Sequence, residues 1–163
     1  MIVVSDTTPL ISLMKASRLD VLQQLFGEVL IPTAVFNELT SNESFQEEAQ
    51  QIRNCPFIRV VSVSETKAVD VLRRSTGLDL GESEAIVFAD DSNANVLLMD
   101  EAKGRQVAKA MGLFIMGTVG VLLAAFDEKV LSAEDVKAAL QRLRQANRRI
   151  SDSLIQAALE KLD

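Results

Sequence analysis

The sequence predicts an α/β protein in which helices cover both faces of a parallel sheet. Short apolar runs rich in β-branched residues, typical of buried parallel strands, occur at residues 2–5, 29–31, 57–63, 96–99 and 113–116. Helical stretches separate these runs, and this alternation predicts a three-layer α/β/α architecture with right-handed crossovers. Two of the runs lead directly into a carboxylate, Asp6 and Asp100, at the edge where open α/β sheets bind their ligands.

Helices are predicted between the strands from apolar spacing and capping residues. Their expected spans are residues 10–14, 19–26, 33–39, 46–53, 65–74, 82–90, 103–111 and 119–126. Thr8 before Pro9 is typical of the cap and first residue of a helix. Ser17 with Asp20 predicts a capping box at the start of the second helix.

No linker or composition change divides the chain, so we expect one domain over residues 1–163, with a helical extension from about 127 to 163. The extension is predicted as two helices broken near residues 147–151. Apolar residues at helical spacing mark one face of each: Leu131, Val136, Leu140 and Leu143, then Leu154, Ile155, Ala158 and Leu162. These faces either pack on the domain or form a surface for a dimer or another partner.

A basic cluster lies in this extension of an otherwise acidic chain. It comprises Arg142, Arg144, Arg148 and Arg149. Such a cluster either contacts a phosphate backbone or forms a solvated helix face.

Composition excludes several classes of chemistry. The chain has no His and one cysteine, Cys55, so Ser-His-Asp hydrolysis, Cys-His catalysis and His- or thiolate-bound zinc are excluded. Carboxylates remain, with 23 Asp and Glu against 17 Lys and Arg, and hard oxygen ligands favour Mg²⁺ or Mn²⁺. No apolar run is long enough to span a membrane and no signal-peptide pattern opens the chain, so we expect a cytoplasmic protein.

Four acids are singled out by position. Asp6 and Asp100 follow strands, Glu38 lies near the end of a short predicted helix, and Glu84 lies one turn into another. Acids gathered at one sheet edge repel each other unless a cation lies between them. Glu82 has a structural explanation, because Asp79 and Glu82 match a capping box.

The motifs around these acids resemble those of PIN domains, the small α/β nuclease fold of VapC-type toxins, and of a PIN-like branch catalogued as a domain of unknown function. They occur in order at residues 4–11, 31–39, 80–86, 98–105 and 116–122. The resemblance implies that Asp6, Glu38, Glu84 and Asp100 surround divalent metal as catalytic residues. It leaves open which of Glu82, Glu84 and Glu101 contact the metal directly.

The function implied is Mg²⁺- or Mn²⁺-dependent cleavage of RNA, in which metal activates water and stabilises charge on the scissile phosphate. Thr7, Thr8 and Thr118 are candidates for orienting water or phosphate, although helix capping explains Thr8 and Thr118 equally well. Arg105 either contacts phosphate or neutralises the acids, and we favour neutralisation. The resemblance also implies a toxin restrained by an antitoxin-type protein, and a homodimer.

Other folds that gather acids at strand ends fit less well. A receiver domain needs an adjacent acidic pair after its first strand, and a haloacid-type phosphatase needs a second Asp where this chain has Thr8. The main alternative is a catalytically silent PIN-like module that binds a partner protein.

Overall fold

The computed structural model describes all 163 residues, and its centre is one parallel sheet. The strands are β1 (Val3–Ser5), β2 (Val29–Pro32), β3 (Ile58–Val61), β4 (Val96–Leu98) and β5 (Ile115–Met116). They lie in the order β3-β2-β1-β4-β5, and every neighbouring pair is parallel. The predicted parallel sheet is therefore confirmed.

Helices occupy every connection between strands. They are α1 (Thr7–Lys15), α2 (Val21–Phe26), α3 (Thr33–Ser41), α4 (Gln46–Arg53), α5 (Thr66–Thr76), α6 (Leu80–Asp91), α7 (Ala102–Ala110), α8 (Thr118–Asp127), α9 (Ala133–Gln145) and α10 (Asp152–Leu162). A short 3-10 helix, Glu43–Phe45, precedes α4. None of these helices combines the length and apolar character needed to cross a bilayer.

Alternate side chains of the central strands enter two separate cores. Val3 and Leu98 belong to the larger core, which includes residues of α1, α2, α8, α9 and α10. Val4 and Leu97 point to the opposite face and pack with residues of α6 and α7. Because successive residues of a strand face opposite ways, this division shows a sheet covered on both faces. The three-layer α/β/α prediction is confirmed.

The start of α1 differs from the prediction. Asp6 is the residue that precedes the helix, with φ −79° and ψ 176°, so the helix begins at Thr7 and Thr8 lies inside it. The extended backbone of β1 continues through Asp6, whose N–H donates to the Leu98 carbonyl at 2.9 Å. This sheet contact holds Asp6 in the extended conformation that a helix cap requires.

The predicted capping box at Ser17 is also wrong. Ser17 has a φ of +59°, and its N–H donates to the Met14 carbonyl, so it belongs to the turn that ends α1. The second helix begins later, at Val21, after Asp20, and no side chain caps it. A left-handed residue at a helix end is a common termination, and it overrides the sequence signal for a new start.

The carboxy-terminal extension forms two helices with the predicted break between them. Most of their apolar side chains are buried in the larger core: Leu131, Val136, Leu140, Leu143, Ala158 and Leu162. Leu154, predicted on the same stripe, is 47% exposed. The extension therefore packs on the domain, against α1 and α8, which is the first of the two alternatives for these faces.

Candidate active site

The strand order places a topological switch point between β1 and β4. The chain continues outward from β1 through β2 to β3, and from β4 in the other direction to β5. Open α/β sheets bind ligands outside the carboxyl ends of the strands at such a point. Ser5 of β1 is in register with Leu98 of β4, so Asp6 and Asp100 leave the ends of neighbouring strands.

Asp6 lies at the bottom of a group of carboxylates and is 3% exposed. Burial raises its pKa from 3.8 to about 8. The Thr7 main-chain N–H opposes this shift, while the charges of Glu82, Asp79 and Glu38 add to it. An aspartate that holds a proton at neutral pH is costly to ionise unless a cation binds beside it.

Glu38 reaches this group from the second turn of α3. Its Oε2 accepts a hydrogen bond of 3.0 Å from the Thr7 hydroxyl. A Cβ atom at position 81 would stand 2.9 Å from the same oxygen, so Gly81 allows α6 to approach the carboxylate. Burial and the charge of Asp79 raise the pKa of Glu38, and the Thr7 hydrogen bond partly opposes them.

Glu82 joins the group from the first turn of α6. The predicted capping box is confirmed, because Asp79 Oδ1 accepts from the Glu82 N–H at 2.8 Å and Glu82 Oε2 accepts from the Asp79 N–H at 3.2 Å. Burial raises the pKa of Glu82, as do the charges of Asp79, Glu101 and Glu38. Glu82 therefore caps its helix and also faces the other acids.

Asp79 is not among the predicted site residues, because the sequence predicts only a capping role for it. Its charge nevertheless raises the pKa of Asp6, Glu38 and Glu82. The capping-box spacing with Glu82 is the sequence signal that places both acids at the start of α6, and the strand order brings that helix start to the site.

Glu84 points elsewhere. Its Oε1 accepts a hydrogen bond of 3.1 Å from the Ala34 N–H in the first turn of α3. Two residues along a helix correspond to a rotation of about 200°, so Glu82 and Glu84 project from nearly opposite sides of α6. Glu84 thus stabilises the start of α3, where an anion interacts favourably with the helix dipole. Its charge is not among those that raise the pKa of Asp6, Glu38 or Glu82.

Asp100 holds the start of α8. Its Oδ1 accepts from the Thr118 N–H at 2.7 Å, and its Oδ2 accepts from the Thr118 hydroxyl at 2.6 Å. A Cβ atom at position 117 would stand 2.8 Å from Asp100 Oδ1, so Gly117 permits this close approach. Both oxygens of Asp100 therefore have protein donors. Thr118 does not cap α8, because Gly117 precedes the helix and Thr118 is its first residue.

Arg105 forms none of the ion pairs of the protein, but it lies near Asp100, because a Cβ atom at position 117 would stand 3.0 Å from Arg105 Nη1 and 2.8 Å from Asp100 Oδ1. The neutralising role expected of Arg105 therefore stays a prediction. Arg105 Nη1 donates to the Met99 carbonyl at 2.9 Å. The five ion pairs of the protein, Lys15–Glu48, Arg18–Asp135, Arg59–Glu28, Arg74–Asp70 and Arg144–Asp152, all lie outside the acidic group. Asp6, Glu38 and Glu82 thus form no ion pair with a basic side chain.

Comparison with protein families agrees with this geometry. A family model described as a PIN domain matches residues 2–163. The chain belongs to the PIN-domain family. No curated protein matches the sequence. PIN domains are generally nucleases and usually use divalent metals, and the match includes the two carboxy-terminal helices of this chain.

The acids of this PIN domain fit a divalent metal in donor type and charge. Asp6, Glu38 and Glu82 offer the hard oxygen donors that Mg²⁺ and Mn²⁺ prefer, and none of them forms an ion pair with a basic side chain. In the arrangement seen, however, no group of three His, Cys, Asp or Glu side chains is placed to hold one ion.

Proposed function

We propose that this PIN domain is a divalent-metal-dependent endoribonuclease whose metal is held by Asp6, Glu38 and Glu82. The observation that carries the proposal is this group of carboxylates at the switch point of the sheet, none of which forms an ion pair with a basic side chain. Such an arrangement costs stability in the metal-free protein, and a cation would relieve that cost. Asp100 and Glu84, the other two acids of the predicted set, support the site by holding the first turns of α8 and α3.

Each side chain has a definable part in this proposal. A bound Mg²⁺ or Mn²⁺ supplies Lewis acidity towards a phosphodiester and lowers the pKa of water, so a His base is unnecessary. Asp6 gives up its proton when a cation binds, and the Thr7 hydroxyl orients Glu38. Asp100 fixes the Thr118 end of α8 at the same edge, because its carboxylate interacts favourably with the helix start.

The test combines metal binding with RNA cleavage. Titration calorimetry with Mn²⁺ should detect binding to the wild type and a large loss of affinity in Asp6→Asn, Glu38→Gln and Glu82→Gln. Cleavage of single-stranded and structured RNAs should require Mg²⁺ or Mn²⁺ and should stop in EDTA. Asp127→Asn is a matched control, because this exposed acid ends α8 and lies away from the start of that helix. Cleavage that survives EDTA, or is unchanged in Asp6→Asn, would contradict the proposal.

One observation favours a second candidate, a catalytically silent module that binds a partner protein. No three acids are placed to hold one ion, and two of the four acids in the predicted set already bind main-chain N–H groups. A well-folded protein that neither binds Mn²⁺ nor cleaves any RNA would favour this alternative.

We further propose the toxin role that the resemblance to VapC-type proteins implies, with an antitoxin-type protein as partner and a homodimer as the assembly. Phe114, which directly precedes the edge strand β5, is 62% exposed, and an exposed aromatic residue at a sheet edge supports a subunit contact. Light scattering should give the mass of a dimer for the wild type and of a monomer for Phe114→Ser. Expression should arrest growth in the wild type and not in Asp6→Asn.

A further inference from the structure

A groove of about 760 Å³ opens beside the acidic group, on the β4–β5 side of the sheet edge. One wall is the start of α8 with Asp100, and the opposite wall is the turn between α9 and α10, residues 146–151. Thr8 and Ser12 of α1 also line it, and α1 begins next to Asp6. The groove therefore leads away from the carboxylates towards the carboxy-terminal extension.

The groove is basic, although the chain as a whole carries a net charge of −6. Four cationic side chains line it, and two acids: Arg105, Arg148, Arg149 and Lys161, with Asp100 and Glu101. Asp100 keeps its charge while its oxygens accept hydrogen bonds from Thr118, so the lining carries four positive and two negative side chains. A local excess of positive charge beside an acidic group is suited to an anion that also reaches that group.

The arginines of the extension are divided by their contacts. Arg142 donates to the Ala16 carbonyl at 3.0 Å and so attaches the extension to the end of α1. Arg144 pairs with Asp152 at 2.7 Å and so links α9 to α10. Arg148 Nε donates to Ser12 Oγ at 3.1 Å, which fixes its side chain along the groove. Arg149 makes no hydrogen bond or ion pair. The basic cluster of the sequence thus supplies two structural arginines and two that face the groove.

Apolar side chains line the groove between these charges. Ile150 and Leu154 come from the extension, and Ile115 and Leu123 come from β5 and α8. Leu154 is exposed, whereas Ile155, Ala158 and Leu162 of the same predicted face of α10 are buried. An apolar surface next to fixed guanidinium groups suits an unpaired base attached to a phosphate backbone, because the faces of paired bases in a duplex are covered by stacking.

We propose that this groove binds a single strand of RNA on one side of the scissile phosphate, with Arg148 and Arg149 on backbone phosphates and Lys161 at the far end. The carboxy-terminal helices would then be part of the substrate-binding surface as well as of the core. This inference rests on the proposed nuclease function and extends it to the path of the substrate.

Fluorescence anisotropy with a short labelled single-stranded RNA tests the groove in EDTA, where cleavage is absent. The main variant is Arg149→Gln/Lys161→Gln, because both side chains are exposed and neither has a polar partner. Each phosphate contact of a single strand contributes about 0.7 to the salt dependence of log K. The double variant should therefore lower that slope by about 1.4 and weaken binding roughly 20-fold at about 0.1 M salt.

Arg73→Gln/Arg74→Gln is the matched control, with the same change in charge on exposed residues of α5 outside the groove. It should change affinity for RNA less than about twofold, since it removes no phosphate contact.

Arg148→Gln should lower the salt dependence of log K by about 0.7. Thermal unfolding of this variant verifies that the extension stays folded. Equal losses in the groove and control variants, or no loss in either, would overturn the proposal, as would equal affinity for duplex RNA.

The outcomes separate this inference from the nuclease proposal. Wild-type protein that binds RNA through the groove but cleaves none with Mn²⁺ would contradict the nuclease proposal and support the groove. Metal-dependent cleavage with unchanged binding in Arg149→Gln/Lys161→Gln would support the nuclease and overturn the groove.

Discussion

The two halves of the sheet edge treat their carboxylates in opposite ways. On the side of β1 and β2, Asp6, Glu38 and Glu82 form one group, and their pKa values are raised by burial and by nearby acids, of which Asp79 acts on all three. On the side of β4 and β5, Asp100 accepts two short hydrogen bonds from Thr118. The sequence singles out Asp6, Glu38 and Asp100 by position and explains Glu82 as a capping residue, so it does not separate the two sides.

The difference shows that acids at one edge contribute to stability with opposite signs. A carboxylate with main-chain and hydroxyl donors stabilises a helix start. A buried carboxylate among like charges lowers the free energy of unfolding whenever it is ionised. The group formed by Asp6, Glu38 and Glu82 is therefore the better candidate for binding a cation.

The largest effect is expected for Asp6→Asn. Loss of this carboxylate should reduce Mn²⁺-dependent RNA cleavage on the order of a hundredfold or more, because the remaining acids cannot complete the metal site. The same change should raise the free energy of unfolding of the metal-free protein by about 2–4 kcal/mol at pH 8, since it removes a buried charge. Urea unfolding in EDTA measures this gain. A loss of stability would break the comparison between the two halves.

The stability of the metal-free protein should also depend on pH through Asp6. Its pKa is 3.8 in the unfolded chain and about 8 in the fold, so between these values the folded protein holds a proton that the unfolded chain has released. The contribution of Asp6 is therefore fully present below about pH 4 and is lost as pH rises through about 8. Thermal unfolding in EDTA from pH 4.5 to 9 should show falling stability, and Asp6→Asn should flatten the curve.

Asp100→Ala should act in the opposite direction to Asp6→Asn. It leaves the Thr118 N–H and hydroxyl without their acceptor, and we expect a loss of about 1–2 kcal/mol in the free energy of unfolding. Thr118→Val removes only the hydroxyl donor and should cost less. Urea unfolding of both variants checks the order, and a stabilised Asp100→Ala protein would show that Asp100 belongs with Asp6, Glu38 and Glu82.

The smallest and sharpest comparison uses two glutamates of one helix. Glu82→Gln should weaken Mn²⁺ binding, whereas Glu84→Gln should leave it unchanged and lower the free energy of unfolding by about 0.5–1 kcal/mol through the weaker bond to the Ala34 N–H. Calorimetric Mn²⁺ titration and urea unfolding of both variants measure the two effects. If Glu84→Gln lost more Mn²⁺ affinity than Glu82→Gln, the two residues would have to exchange their proposed roles.

Much of the fold could be predicted because its signals are local. Helix α4 begins and ends at the predicted residues, and the capping box of Asp79 and Glu82 is present as expected. A predicted helix start is wrong where a capping signal coincides with the turn that ends the preceding helix. Ser17 has the chemistry of a helix cap, but the turn that ends α1 holds it in a left-handed conformation.

The site was harder to predict because it depends on which way side chains point. Glu82 and Glu84 are two residues apart on one helix, and the sequence favours Glu84 as the metal-contacting residue while leaving Glu82 open. Only the approach of α6 to α3, which Gly81 permits, sends Glu82 towards Asp6 and Glu84 towards Ala34. Arg148 and Arg149 likewise look the same as Arg142 and Arg144 until the extension packs against α1.

The sequence by itself determined the alternation of strands and helices, the acids at the strand ends and the family, because these follow from local apolar patterns and short motifs. The tertiary structure decided which acids share a charge environment, which ones bind main-chain donors, and that two arginines of the extension line a groove beside the site. The physical reason is that hydrogen bonds and charge interactions act over a few ångströms, and the residues involved lie as far as 136 positions apart in the chain.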